Sequence, residues 1–298
     1  MAGSVLCVRA DKSGAPLSVA MAFRIVSLGV AARAPFQAPA VKDPEPMNRR
    51  ATMSPNPHHD LQGLRALVTG ATSGLGRVIA LRLANDGAEV VVHGRDAARG
   101  AQTVEAIRTT GGKASFVQAD LSDPASAARL AEQVGEVDIL VNNAGFWATG
   151  PTVGFDVASF DAMFAANVRA TFVLVAALAP RMVARRSGSI INIGSMAGSI
   201  GLAGGAAYGA TKAALASLGQ SWAAEYGPSG IRVNTVAAGP IYTRSDSREM
   251  FDTLGATTAL RRAADPEEIA EVVAFLASRR ASYVTGAILA ADGGRTAI

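Results

Sequence analysis

From Leu64 to the end of the chain, short runs rich in β-branched residues alternate with longer stretches of helical period. The strand-like runs fall at 66–69, 89–93, 115–118, 137–141, 189–193, 232–236 and 287–290. The helical stretches between them fall at 75–86, 97–110, 124–134, 155–185, 208–226 and 266–277. Strands joined by helical crossovers run parallel, and the crossovers are right-handed, so both faces of the sheet end up covered. The alternation predicts an α/β fold, a doubly wound parallel sheet of seven strands with helices on both faces, forming a single domain over 61–298. The last helix carries its own start signal: Asp265 as cap, Pro266 in the first turn, and Glu267 and Glu268 at the positive end of the dipole.

Residues 1–60 read differently. They hold Pro16, Pro35, Pro39, Pro44, Pro46, Pro55 and Pro57 and sustain neither period. Such sequence does not pack a core, so a disordered extension is expected, or a start assigned too early with Met47 or Met53 as the real beginning. A targeting peptide is the alternative, since 1–42 carries five basic residues against one acid. Of the formal net charge of +4, three units belong to residues 1–60, which leaves 61–298 with 21 basic and 20 acidic residues. That balance predicts no nucleic-acid partner. No uninterrupted apolar run reaches the ~18–20 residues of a membrane span, because 17–32 is broken by Arg24. One cysteine (Cys7) and three histidines (His58, His59, His93) predict no metal site, and they fit a cytoplasmic location.

The first strand runs into Thr69-Gly70-Ala71-Thr72-Ser73-Gly74-Leu75-Gly76, where a helix begins. Glycines allow a tight turn and close approach to a pyrophosphate, and the helix offers free N–H groups with a positive dipole end. In this strand–turn–helix setting the loop predicts a dinucleotide site in a Rossmann-like fold. An acid ending the second strand would accept the 2′-hydroxyl of NAD, whereas a 2′-phosphate wants arginine. Here the strand ends Val92-His93-Gly94-Arg95-Asp96, with Gly94 at the acid's place and Arg95 beside it. NADP(H) is favoured over NAD(H), although a one-residue shift would bring Asp96 to the ribose.

Tyr208 and Lys212 stand four apart on one helical face. A phenol of ordinary pKa near 10 is a poor acid–base group at pH 7. An ammonium about 4 Å away, at an effective dielectric near 20, would lower that value by about three units before solvent losses. Ser195 lies just past the fifth strand and Asn142-Asn143-Ala144-Gly145 just past the fourth, at the carboxyl ends where parallel sheets place active sites. Asn167 sits in an apolar helical stretch, where an asparagine needs a hydrogen-bonding partner.

Over about 61–298 the chain resembles the short-chain dehydrogenase/reductase family, in its single-domain subgroup of ~250 residues related to 3-oxoacyl-carrier-protein reductases. The resemblance rests on the loop 69–76, Asp120-Leu121, 142–145, Asn167, Ser195, Tyr208-x3-Lys212, Gly239-Pro240-Ile241-x-Thr243, Tyr283-Val284-Thr285-Gly286 and Asp292-Gly293-Gly294. Two positions depart from it: Ala238 stands where the family often has proline, and Ser73 where NADP-preferring members often carry a basic residue. The resemblance implies hydride transfer between nicotinamide C4 and a ketone or secondary alcohol. It makes Tyr208 the general acid–base, Ser195 the partner of the reacting oxygen, Lys212 a ribose contact that tunes Tyr208, and Asn167 the holder of a relay water. Gly70, Thr72, Ser73, Gly74, Leu75 and Gly76 would hold the pyrophosphate, Asp120 and Leu121 the adenine. Asn143, Ala144 and Gly145 would lie under the ribose and nicotinamide, with Ile241 and Thr243 at the carboxamide. It also implies a homo-oligomer, a tetramer or dimer.

The substrate is less constrained. Residues 244–260 are expected to form a mobile lid, and Phe146, Trp147, Met196, Tyr242, Met250 and Phe251 could line an apolar pocket. A carrier-protein substrate would need arginines beside the cleft, and Arg181, Arg185 and Arg186 instead sit at a helix end. A small-molecule ketone or alcohol is therefore favoured over an acyl-carrier one. A non-catalytic nucleotide sensor would be expected to lack Tyr208 or Lys212, and both are present.

Overall fold

The structure is a computed structural model and describes residues 60–243 and 248–298. The expectations for residues 1–59, and residues 244–247 of the expected lid, lie outside the described residues. The seven strands are β1 (Arg65–Val68), β2 (Glu89–Gly94), β3 (Lys113–Gln118), β4 (Ile139–Asn142), β5 (Gly188–Ile193), β6 (Ile231–Ala238) and β7 (Ile288–Ala291). All pairings are parallel and the order is β3-β2-β1-β4-β5-β6-β7. The chain winds outward from β1 to β3, then crosses back to place β4 on the other side of β1. That reversal opens a crevice at the carboxyl ends of β1 and β4.

The described residues form eight α-helices: α1 (Gly74–Asn85), α2 (Ala97–Thr109), α3 (Pro124–Val134), α4 (Val157–Phe164), α5 (Ala170–Arg185), α6 (Ala206–Tyr226), α7 (Arg248–Gly255) and α8 (Pro266–Ala277). Side chains alternate across each strand, so the central strands feed two cores. Ala66, Val68, Val90, Val92 and Val141 pack against Ile79 and Leu83 of α1 and Val273 of α8. Leu67, Val91, Leu140 and Ile190 pack against Leu130 of α3 and Leu174 and Leu178 of α5. Each such fully buried Leu, Ile or Val contributes about 1.5–3 kcal/mol. Burial on both faces explains the unbroken apolar runs of the central strands.

Aspartates begin several helices: Asp96 accepts from Arg99 N–H at 3.0 Å, Asp123 from Ser126 N–H at 3.1 Å, and Asp156 from Ser159 N–H at 2.8 Å. At α8 the Glu268 carboxylate accepts from Asp265 N–H at 3.0 Å and pairs with Arg262 at 2.6 and 2.7 Å. That double pairing holds Glu268 at about 2, below the ordinary carboxylate range.

The single helix expected over 155–185 is two helices joined by a π turn, Ala165–Arg169. The turn places Asn167 inside the molecule, 1% exposed, where its amide finds partners described below. Val157–Arg185 is long and apolar enough, by length and composition, to cross a membrane. Its apolar inner stripe, Leu174, Leu178 and Met182, belongs to the core beneath the sheet. Within the expected lid, 248–255 forms helix α7, which the sequence reading missed.

Candidate active site

β1 delivers the chain into a turn that closes only without side chains. Gly70 has φ +66°, and a Cβ there would lie 2.9 Å from Ala144 Cα; a Cβ at Gly76 would lie 2.3 Å from Gly70 O. Asn143 ties the turn to the β4 exit, with Nδ2 donating to Thr69 O at 2.9 Å and to Gly70 O at 3.3 Å. Thr69 Oγ1 accepts from the N–H groups of Asn143 (2.9 Å) and Ala144 (3.0 Å). The first turn of α1 carries no side-chain cap at Ser73, so its N–H groups and dipole serve the cleft. A cradle closed to side chains beside an uncapped helix start fits a pyrophosphate.

The cleft has a volume of about 740 Å³. Gly70, Thr72, Ser73, Leu75, Gly76, Arg95, Asp120, Leu121 and residues 143–145, all named from the sequence as cofactor candidates, line it. Gly74 stands just behind, where a Cβ would meet Thr243 at 3.7 Å. Thr243 thus lies next to the loop, although neither it nor Ile241 lines the cleft. At the end of β2, a Cβ on Gly94 would lie 2.4 Å from Thr72 Cγ2, so an acid at that position would have to displace the Thr72 side chain. The competing acid, Asp96, caps α2 and binds Arg99 Nε at 2.7 Å; these bonds from Arg99 hold its carboxyl below the usual range. Arg95 and Arg99 face the same cleft, and both are exposed.

Asn167, Ser195, Tyr208 and Lys212 gather outside that lining, at the carboxyl ends of β4 and β5. Ser195, directly after β5, hydrogen-bonds with the Tyr208 hydroxyl. Lys212 is 7% exposed and donates from Nζ to Ile193 O at 2.8 Å. Its ammonium lies over the Tyr208 ring, 5.7 Å from the centroid. The expected lowering of the phenol by this cation is not what the geometry gives. Burial raises Tyr208 above 10, the Ser195 bond alone opposing it, and burial pulls Lys212 down to about 8. A cation above the ring, committed to a carbonyl, does not reach the hydroxyl.

Asn167 is fully engaged as a donor: Nδ2 donates to Phe146 O (2.9 Å) and Thr211 Oγ1 (3.1 Å), while Oδ1 accepts from Phe146 N–H (3.0 Å). A Cβ at Gly145 would lie 2.6 Å from that Oδ1, so the glycine admits the clamp. The side chain therefore holds the 145–146 backbone. Thr211, fully buried, continues the chain by donating to Tyr208 O at 2.7 Å. Sequence reasoning missed Thr211 and also missed His93, a polar residue ending an apolar strand that now lines the cleft. Among the described residues, no group of three His, Cys, Asp or Glu could hold a metal ion.

Of the pocket candidates, Phe146 and Trp147 are exposed at 43% and 51%, whereas Met196 is buried. Tyr242 donates to Asp252 of α7, meets Phe251 edge-on at 6.5 Å, and carries Arg248 over its ring at 4.8 Å. The arginines at the end of α5 lie at the opposite, amino edge of the sheet. Arg185 donates to Val137 O at 2.8 Å and Arg186 to Pro228 O at 3.1 Å.

A parallel doubly wound sheet with a glycine cradle at its reversal, beside a Ser–Tyr–Lys cluster, defines a nucleotide-dependent oxidoreductase. The family model described as enoyl-(acyl carrier protein) reductase matches residues 70–296. The cis-4-hydroxycyclohexanecarboxylate dehydrogenase of Sinomonas cyclohexanicum is 41% identical over 242 residues, covering 78% of this chain and 96% of that protein. The short-chain dehydrogenase/reductase eriH of Hericium erinaceus is 39% identical over 243 residues, covering 77% and 96%. A solved short chain dehydrogenase/reductase family protein superposes with a TM-score of 0.76 at 53% identity, covering 80% of this chain and all of that one. The chain belongs to the short-chain dehydrogenase/reductase family, and it is an oxidoreductase using NAD(P) and acting on the CH–OH group.

Proposed function

We propose that this enzyme interconverts a small ketone and its secondary alcohol with NADP(H), using Tyr208 as general acid–base. The observation that carries the reading is the convergence of Ser195, Tyr208 and Lys212 at the β5 exit, next to the glycine cradle. When bound, the nicotinamide supplies a hydride to the carbonyl carbon or takes one from the alcohol carbon. Ser195 Oγ hydrogen-bonds the substrate oxygen and lowers the cost of charge developing there. Tyr208 gives its hydroxyl proton to that oxygen in reduction and removes it in oxidation. Lys212, anchored on Ile193 O beside the Tyr208 ring, would hold the nicotinamide-side ribose. Asn167 acts by fixing the 145–146 backbone under the nicotinamide.

Gly70, Thr72, Ser73, Gly74, Leu75 and Gly76 would hold the pyrophosphate, Asp120 and Leu121 the adenine, Asn143 to Gly145 the ribose and nicotinamide side, and Ile241 and Thr243 the carboxamide. The NADP preference is supported by Arg95, with Arg99 close by, and by the engagement of Asp96 as a helix cap. We take the enzyme to be cytoplasmic and self-associating, as a dimer or tetramer. A carrier-protein substrate is disfavoured because the arginines of α5 lie on the edge of the sheet away from the cleft. The test is absorbance at the reduced-nicotinamide band with NADPH and then NADH, against linear and cyclic ketones, free and carrier-linked. Turnover of free ketones with NADPH is expected. Binding without turnover would instead identify a sensor, and turnover of carrier-linked substrates alone a 3-oxoacyl reductase.

A further inference from the structure

We propose that His93 is a positioning residue of the dinucleotide site, a neutral imidazole that ties the pyrophosphate loop at Gly70 to the adenine loop at Ala119. The inference rests on reading the cleft as the dinucleotide site. His93 is 2% exposed, one residue from the end of β2, and lies in the wall of the cleft. Gly70 N–H donates to His93 Nδ1 at 3.3 Å, and His93 Nε2 stands 3.2 Å from Ala119 O. A backbone N–H can only donate and a carbonyl can only accept. The ring must therefore be neutral, with its proton on Nε2.

Its two partners belong to different grips on one ligand. Gly70 opens the glycine turn, and Ala119 directly precedes Asp120 and Leu121. The backbone of β2 joins the same loops lower down, through Ala71 N–H to His93 O (2.8 Å) and Ala119 N–H to Gly94 O (3.3 Å). The ring adds a rigid upper tie, because the two nitrogens sit at fixed separation across it. An apolar side chain would leave Gly70 N–H and Ala119 O without these partners. Burial pushes His93 down to about 4, with the Ala119 carbonyl and the Asp120 carboxylate pulling the other way. The ring is accordingly neutral at pH 7, as both bonds require.

The test measures dissociation constants of NADPH and NADH for the native chain, His93→Phe and His93→Asn, with kcat at saturating cofactor. We expect His93→Phe to weaken both dinucleotides by about tenfold, because a desolvated backbone group loses its partner. Substrate KM and saturated kcat should stay within about twofold, since positioning of the cofactor does not touch the reacting oxygen. His93→Asn, which keeps an acceptor near Gly70 N–H, should recover part of the loss. A folded His93→Phe chain binding both dinucleotides as tightly as the native one would overturn the inference, as would a fall in saturated kcat with unchanged binding. If His93→Phe does not fold, nitrogen NMR of the labelled histidines decides, and a protonated Nδ1 at pH 7 overturns the proposal. A native chain that binds neither dinucleotide would sink the reading of the cleft itself, whereas unchanged binding by the variant would sink only the role of His93.

Discussion

The carboxyl edge of the sheet has two halves built by different means. Around β1, β2 and β3 the site is made of backbone: glycines whose absent side chains let loops touch, helix N–H groups, and Asn143, Thr69 and His93 bonding main-chain atoms. Around β5, β6 and α7 it is made of side chains: the Ser195, Tyr208 and Lys212 group, and Tyr242 with Asp252 and Phe251. A backbone site is specified once and accepts one kind of ligand. A side-chain site can be recut by substitution, which is how one scaffold serves many substrates.

Four changes would break or sharpen that contrast. The largest effect is expected at Tyr208→Phe, which should lower kcat by about 10²–10⁴ while dinucleotide binding, measured by fluorescence, is unchanged. Near-normal turnover would remove chemistry from the second half. Lys212→Met should lower turnover less than Tyr208→Phe does, yet stabilise the fold by up to roughly 3 kcal/mol at pH 7, less whatever the freed Ile193 carbonyl costs. The sign follows from Lys212 lying at about 8 when folded and 10.5 when not. Between those values the unfolded chain binds more protons, so the native protein gains stability as pH rises and the variant lacks that gain. Urea titrations across that window check it.

Arg95→Ala belongs to the first half and should weaken NADPH about tenfold with NADH changed less than about twofold, since only the former brings a phosphate to an arginine. Equal losses would remove the basis for NADP. Tyr242→Phe, which deletes the bond to Asp252, should move substrate KM by only about two- to fivefold and leave cofactor binding alone. A shift in cofactor affinity there would show that the halves are not independent.

The first half was far more legible in the sequence than the second. The strand alternation and the glycine spacing are written along consecutive residues, and the structure returned seven parallel strands and a cleft lined by most of the residues named in advance. Tyr208 and Lys212 were legible as a helical pair, but the direction of Nζ depends on where β5 ends, and no spacing encodes that. Thr211 is one hydroxyl among many until α6 packs beside Asn167. His93 did leave a trace, a titratable ring closing a Val-Val-Val run, and its partners lie 23 and 26 residues away. Helix α7 was hidden by its position in a stretch read as a loop.

The π turn at Ala165–Arg169 has one more consequence. It inserts a residue relative to an ordinary helix, so the register after it is delayed by about 100°. The faces of the helical segments on either side are therefore turned relative to one another. Removing a single residue there would respin everything downstream and swing the Asn167 amide away from the Phe146 backbone. The length of that turn is thus as much a specification of this protein as any side chain in it.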